Sequence, residues 1–218
     1  MNGGVCSLVG SNGYSCACPT GFLGPSCGLT AAGDEYVEAE FDGDKLEFSN
    51  LIGWYGFASG LGQTFRTGSG GLLKRISFLV IARPEAVNEA EALVIDFWKL
   101  GGDGQPAAPA LATRSVAAAD VSTAEEVFKS VDFSADNIVL APNSDYAFTM
   151  SVVNKADTVG EGMYGTGHNV SAAGYANGHG LSTTGGNPWT GSDGDSDLSS
   201  FEVTVIRPMF ENGFEAVP

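Results

Sequence analysis

Positive charge is what this sequence has least of: ten Lys and Arg stand against 26 Asp and Glu, with two His, for a formal net charge of −16. Nucleic acids and anionic lipids are held by Lys/Arg contacts and released counterions, so a chain this acidic is expected to bind neither. Long apolar runs are missing too. No stretch approaches the ~20 apolar residues of a membrane-crossing helix, and no insertion into a bilayer is expected. Met1 is followed by Asn2-Gly3-Gly4 rather than by basic and then apolar residues, so any secretion signal is expected upstream of Met1 or already removed. Catalytic and zinc signatures are absent as well. No GxSxG elbow occurs between a strand and a helix, and His168 and His179 fit neither HExxH nor a zinc-ligand spacing, so both read as loop histidines without a special role. Acidic pairs such as Glu38/Glu40 and Glu125/Glu126 read as solvated faces rather than acid–base couples, and the expected protein is not an enzyme.

What is present points to an all-β protein. Glycine is abundant (31 residues), charged residues are only 17%, and the apolar runs are short and bounded by Gly, Asn, Pro or Ser. Strands are expected at 36–41, 46–51, 62–65, 72–81, 92–99, 111–116, 126–132, 138–140, 145–153 and 201–206. Ile76-x-Phe78-x-Val80, Val94-x-Asp96-x-Trp98, Tyr146-x-Phe148-x-Met150 and Phe201-x-Val203-x-Val205 alternate at period two, giving each strand one face for a core. Phe65, Phe78, Ile95, Phe133, Phe148, Phe201 and Val203 are the expected core of two sheets packed ~10 Å apart. Pro106, Pro109 and the β-branched content of 107–126 argue for loops around a strand rather than a helix.

All four cysteines fall in the first 27 residues, as Cys6-x9-Cys16-x-Cys18-x8-Cys27. A zinc site would want two CxxC knuckles where this segment has one CxC, so disulfides and an extracellular location are expected. The motifs NGGxC (residues 2–6), YxCxC (14–18) and CxxGFxGxxC (18–27), together and in order, resemble the latter two thirds of an EGF-like module. The resemblance implies a Cys18–Cys27 disulfide and a module whose first two cysteines precede Met1. Cys6 and Cys16 are then left to pair with each other or to stay free. Fewer than ~40 residues cannot bury enough surface to fold alone, so such a stub would need staples or a neighbour.

A second resemblance covers roughly residues 54–206. Gly62-Gln63-Thr64-Phe65-Arg66-Thr67-Gly68, the run 73–81, the hairpin 95–112 with Gly104-Gln105-Pro106, Val131-Asp132-Phe133-Ser134 with 140–148, and Gly185-Gly186-Asn187-Pro188-Trp189 are similar to the secreted bacterial jelly-roll domains labelled "choice-of-anchor", associated with PEP-CTERM sorting. This implies a jelly-roll-like antiparallel β-sandwich and says little about ligand. The expected layout is a partial EGF-like module (1–28), a linker and first strand (29–45), the sandwich (46–208) and a tail (209–218). The resemblance also implies a surface anchor beyond Ala216-Val217-Pro218.

Binding candidates concentrate in 160–200, which shows no strand periodicity and is too long for a plain connector. Tyr164, Tyr175 and Trp189 supply rings for stacking on sugar faces, and Asn177 and Asn187 supply amides for hydroxyls, with His168, Asn169 and His179 nearby in sequence. The alternative for Tyr175 and Trp189 is to fold inward and seal the end of the sandwich. Trp54 and Tyr55 face the same choice. Asp193, Asp195 and Asp197 alternate as oxygen ligands of a calcium ion would at ~2.4 Å, or else form a solvated acidic turn; the late bidentate Glu of an EF-hand is replaced by Thr204. The expected function is a non-catalytic extracellular adhesion or carbohydrate-binding module, its partner a glycan or cell-surface protein. The alternative is a self-associating subunit of an extracellular filament or surface layer.

Overall fold

A computed structural model of the chain describes residues 4–9, 13–17, 19, 22–23, 29–30, 34–42, 45–53, 60–88, 90–152, 163–169, 175–183, 189–192, 198 and 200–207. Near the N-terminus β1 (Val5–Val9) and β2 (Gly13–Ala17) form an antiparallel hairpin, and β3 (Phe22–Leu23) pairs with β4 (Leu29–Thr30). The remaining strands are β5 (Asp34–Asp42), β6 (Lys45–Ile52), β7 (Gly60–Arg66), β8 (Gly71–Ala82), β9 (Leu93–Lys99), β10 (Ala112–Val116), β11 (Val127–Asp132), β12 (Val139–Leu140), β13 (Asp145–Val152), β14 (Tyr164–Asn169), β15 (Gly180–Thr183), β16 (Thr190–Ser192) and β17 (Ser200–Arg207). One short helix, α1 (Pro84–Asn88), lies between β8 and β9.

Two antiparallel sheets face each other. One runs β10-β9-β13-β7-β15-β16, the other β5-β17-β8-β14-β6 with β11 and β12 also paired to β8. The twelve residues of β8 make it the spine of the second sheet: Ile76 pairs with Val203 of β17 on one flank and Val131 of β11 on the other. Between the sheets Phe78 stacks on Phe148 at 6.1 Å between ring centroids, Phe148 meets Phe201 at 5.7 Å, and Phe97 meets Phe133 at 6.2 Å. All seven residues expected in the core are at most 1% exposed. Apolar side chains on the inner faces meet because period-two alternation puts every second residue of each strand on the same side.

Two expectations change. On β9 the buried side chains are Leu93, Ile95 and Phe97, all fully buried, so Val94, Asp96 and Trp98 face outward, only half-buried. The region 160–200 is not strandless: it contains β14, β15 and β16. These strands are short and rich in Gly and Ser, and they exist through pairing with β6, β7 and β8 rather than through an apolar alternation of their own. Residues 34–42, expected within the linker and first strand, pair along β17 as an edge of the second sheet.

Candidate functional site

The outer face of the six-stranded sheet, turned away from the core, can be read off the register row by row. A central row crosses all six strands: Thr113, Asp96, Thr149, Gly62, Leu181 and Gly191. One row over, Trp98, Ala147 and Thr64 align, and Thr64 N bonds to the His179 carbonyl at 2.9 Å, which sets His179 beside Thr64. On the other side Val94, Ser151, Gly60 and Thr183 align, and the Trp189 ring reaches over Gly60, its Cη2 2.7 Å from where a Cβ on Gly60 would sit. Gly60, Gly62, Ala147 and Thr64 thus form a floor of small residues, with Trp98 on the β9 side and Trp189 and His179 on the β15–β16 side. Leu181 and Ala147 are fully buried although they lie outside the core cluster, so a second layer of side chains covers this face.

Each partner is held in place. Trp98 Nε1 donates to Thr149 Oγ1 at 2.8 Å. The His179 backbone N–H donates to Thr64 Oγ1 at 2.7 Å, and the Thr64 hydroxyl lies 3.1 Å from the His179 carbonyl and 3.3 Å from its Nδ1. With Nδ1 engaged by Thr64, Nε2 is the ring nitrogen left over; it stands 2.9 Å from the position of a Cβ on Gly191. A side chain at Gly191 would displace the imidazole. Gln105 comes from the turn after β9, closed by Gly101 N to the Gln105 carbonyl at 2.8 Å and Gln105 N to Asp103 Oδ1 at 3.1 Å. Although β13, β7 and β15 separate β9 from β16, Gln105 Nε2 lies 3.9 Å from that same Gly191 position. The turn therefore folds over the end of the face. Thr64 is 2% exposed with its hydroxyl engaged by His179, so the pair orients a ring and presents no nucleophile.

Of the ligand residues expected from sequence, the structure brings Trp189 to this face. Tyr164 must be corrected: it is fully buried in the core, its hydroxyl donates to the Glu91 carbonyl, and its phenol has no surface to offer a ligand. Tyr175 is half-buried and meets Phe201 edge-on at 5.1 Å and Phe41 at 5.8 Å, the inward-folded alternative. Asn177 is exposed in the turn that leads to His179, where Gly178 N bonds to the Tyr175 carbonyl at 3.3 Å. Asn187, Asp193, Asp195, Asp197, Trp54, Tyr55, Cys18 and Cys27 lie outside the described residues, as do the side chains of His168, Asn169, Cys6 and Cys16. Among the described residues no group of three His, Cys, Asp or Glu is placed to hold a metal ion. Trp98, His179 and Gln105 are the members that the sequence reading missed. The parity of Trp98 was available, since it is opposite to that of Ile95; the meeting of His179 with Thr64, 115 positions away, was not.

A groove of about 680 Å³ also opens beside β5, β17 and β11, where Leu79 and the half-exposed Phe128 make an apolar floor and Glu40, Asp42 and Glu202 supply carboxylates. Its lining has neither a histidine nor an amide side chain, and so lacks the directional donors that orient a polar ligand. Compared with known proteins, the chain matches no family model and no curated protein sequence.

Proposed function

We propose that the protein is a non-catalytic carbohydrate-binding adhesion module, secreted or displayed at a cell surface, and that a neutral glycan docks on the outer face of the six-stranded sheet. The observation that carries this reading is the pair of half-buried tryptophans, Trp98 and Trp189, on one face across a floor of Gly60, Gly62 and Ala147. Indole rings stack on the apolar faces of sugars, and the exposed parts of these two rings are what a sugar would meet, since the floor beneath them is buried. His179 and Gln105 add hydrogen bonds that set orientation. The three rows carry no Lys or Arg, which disfavours uronates and sulfated sugars.

The finer architecture belongs to the same proposal. A jelly-roll assignment is supported by sheet orders such as β13-β7-β15, in which neighbours in space are far apart in sequence. The EGF-like stub is supported by the β1–β2 hairpin, whose register sets Cys6 opposite Cys16, and its Cys18–Cys27 disulfide belongs to the same proposal. Calcium at Asp193, Asp195 and Asp197 is part of the reading as a support for the nearby β16. The filament alternative is weakened by β5, an edge strand carrying Asp34, Glu35, Glu38, Glu40 and Asp42 in nine residues, because a second copy paired there would meet like charge.

A glycan array tests the reading with wild type, Trp98→Ala and Trp189→Ala, run in calcium and in chelator. Wild type is expected to bind neutral glycans and each variant to lose most of the signal while keeping its far-UV spectrum. A wild type that binds nothing on a broad array sinks the lectin reading, as do two variants that bind as wild type does.

A further inference from the structure

The second sheet also turns a face outward, and the groove of about 680 Å³ on it is divided by charge along its length. Register sets Glu40 of β5 opposite Glu202 of β17, Glu202 opposite Ser77 of β8, and Ser77 opposite Ser130 of β11. In the neighbouring row Asp42 pairs with Ser200, and Leu79 with Phe128. Ile76, Phe78, Phe201 and Val203 lie in the core, so alternation turns Ser77, Leu79, Ser200 and Glu202 outward. The β5–β17 end of the groove is thereby acidic and the β8–β11 end apolar. At the strand spacing of about 4.8 Å, the two ends are centred roughly 10 Å apart.

Neither end is satisfied within the chain. Phe128 keeps 49% of its surface exposed beside the nearly buried Leu79. Glu40 has no ion-pair partner among the described residues, and no Lys or Arg lines the groove. Asp42 Oδ1 accepts the Ser200 hydroxyl at 3.0 Å, and Glu202 faces Arg75 at 3.6 Å, a cation that it shares with Glu35. Carboxylates gathered in this way repel one another, and an arriving ammonium or guanidinium relieves the repulsion.

We propose that this groove docks a basic amphipathic segment of a partner protein in extended form. A Lys or Arg lies over Glu40, Asp42 and Glu202, and a Leu, Ile or Phe packs against Leu79 and Phe128. An extended chain rises about 3.4 Å per residue, so the two anchors are separated by roughly two to four residues, the long basic side chain making up the difference. Charge selects this occupant. Nucleic acids and anionic lipids are repelled by a chain of net charge −16. A second copy brings the same charge, and five of its ten Lys and Arg, namely Arg66, Lys74, Arg75, Arg114 and Arg207, already pair with its own carboxylates. An inorganic cation would satisfy the carboxylates and leave Phe128 in water. The groove and the tryptophan face lie on opposite sides of the sandwich, so either can be occupied without the other.

The test is an array of random-sequence synthetic heptapeptides probed with the full chain at physiological salt, followed by fluorescence anisotropy on the tightest peptide. An acidic chain attracts any cation, so that peptide is compared with a copy of equal charge whose apolar residues are replaced by Ser. Bound peptides are expected to carry Lys or Arg within a few positions of Leu, Ile or Phe. At least about a tenfold loss of affinity is expected for the Ser copy, for Phe128→Ser and for Glu40→Lys, because each removes one of the two anchors. Both positions are exposed, so the variants are expected to keep the wild-type far-UV spectrum, with Phe128→Thr in reserve should the Ser variant not fold. An array without bound peptides, peptides selected by charge alone, or an affinity unchanged in either folded variant overturns the proposal and leaves the glycan reading as it was.

Discussion

Single residues in this protein carry roles set by partners far away in sequence. The stretch 62–67 shows it position by position. Gly62 lets β13 approach, since a Cβ there would stand 2.6 Å from the Phe148 carbonyl oxygen. Gln63 is fully buried and its Oε1 accepts from Leu198 N at 3.0 Å. Thr64 orients His179, Phe65 is core, Arg66 pairs with Asp145 at 3.0 Å, and the Thr67 hydroxyl bonds to the Ala141 carbonyl at 2.6 Å. Tyr164 gives the sharpest test at this scale. Burial first, and the Glu91 carboxylate second, push its phenol up to about 12 from an ordinary 10.0. The folded state favours the neutral phenol, so its stabilising effect is whole below pH 10 and is lost as pH rises toward 12. Phenolate absorbance is expected to show one tyrosine titrating last, and Tyr164→Phe is expected to remove that step. A wild-type titration complete in the ordinary tyrosine range would show that the phenol is solvated.

At the scale of elements, the turn that follows β11 depends on one carboxylate. Asp132 Oδ1 accepts from Ser134 N at 2.7 Å and from the Ser134 hydroxyl at 2.5 Å, and these bonds, the hydroxyl first, hold its carboxyl below the usual range. A lowered folded-state value means that the stabilisation is present above the ordinary aspartate value, about 3.9, and is lost as pH falls through the folded one. Asp132→Asn is therefore expected to be less stable than wild type in neutral urea melts, with the gap closing in acid. A gap independent of pH would place the effect in packing instead. The same scale explains what was legible. Strands such as β8 and β17 alternate by themselves and were found from sequence within a few residues. By contrast β14, with Gly165 and Gly167 among its six residues, has no pattern of its own and is held by β6 and β8. Its bulge between Thr166 and His168 breaks the period further.

For the whole molecule, Phe148 is the side chain that joins the layers. It belongs to the six-stranded sheet and touches Phe78 and Phe201 of the other. Phe148→Ala is expected to cost about 3–5 kcal/mol, because the two facing sheets cannot close over the space it leaves. Denaturation followed by tryptophan fluorescence and by far-UV circular dichroism is expected to give coincident curves, since Trp98 reports one sheet and the backbone signal both. A loss below about 1 kcal/mol would mean that the strand register differs from the one described. The charge of −16 also acts at this scale: the acidic edge β5 meets Lys74, Arg75 and Arg207 through Glu35 and Glu38, so part of the scarce positive charge is used within the second sheet.

From the sequence alone came the β class, most strands and the seven core residues, because alternation and turn residues are local signals written within a few positions of each other. Trp189 came from it too, as a ring in a glycine-rich segment. Which face Trp98 occupies, that Tyr164 is buried, that Thr64 holds His179, and that His179 and Gln105 meet at Gly191 were decided only by tertiary structure. Those meetings depend on which strands become neighbours, and pairing between segments 115 positions apart is settled by the packing of the whole core rather than by any short stretch of chain.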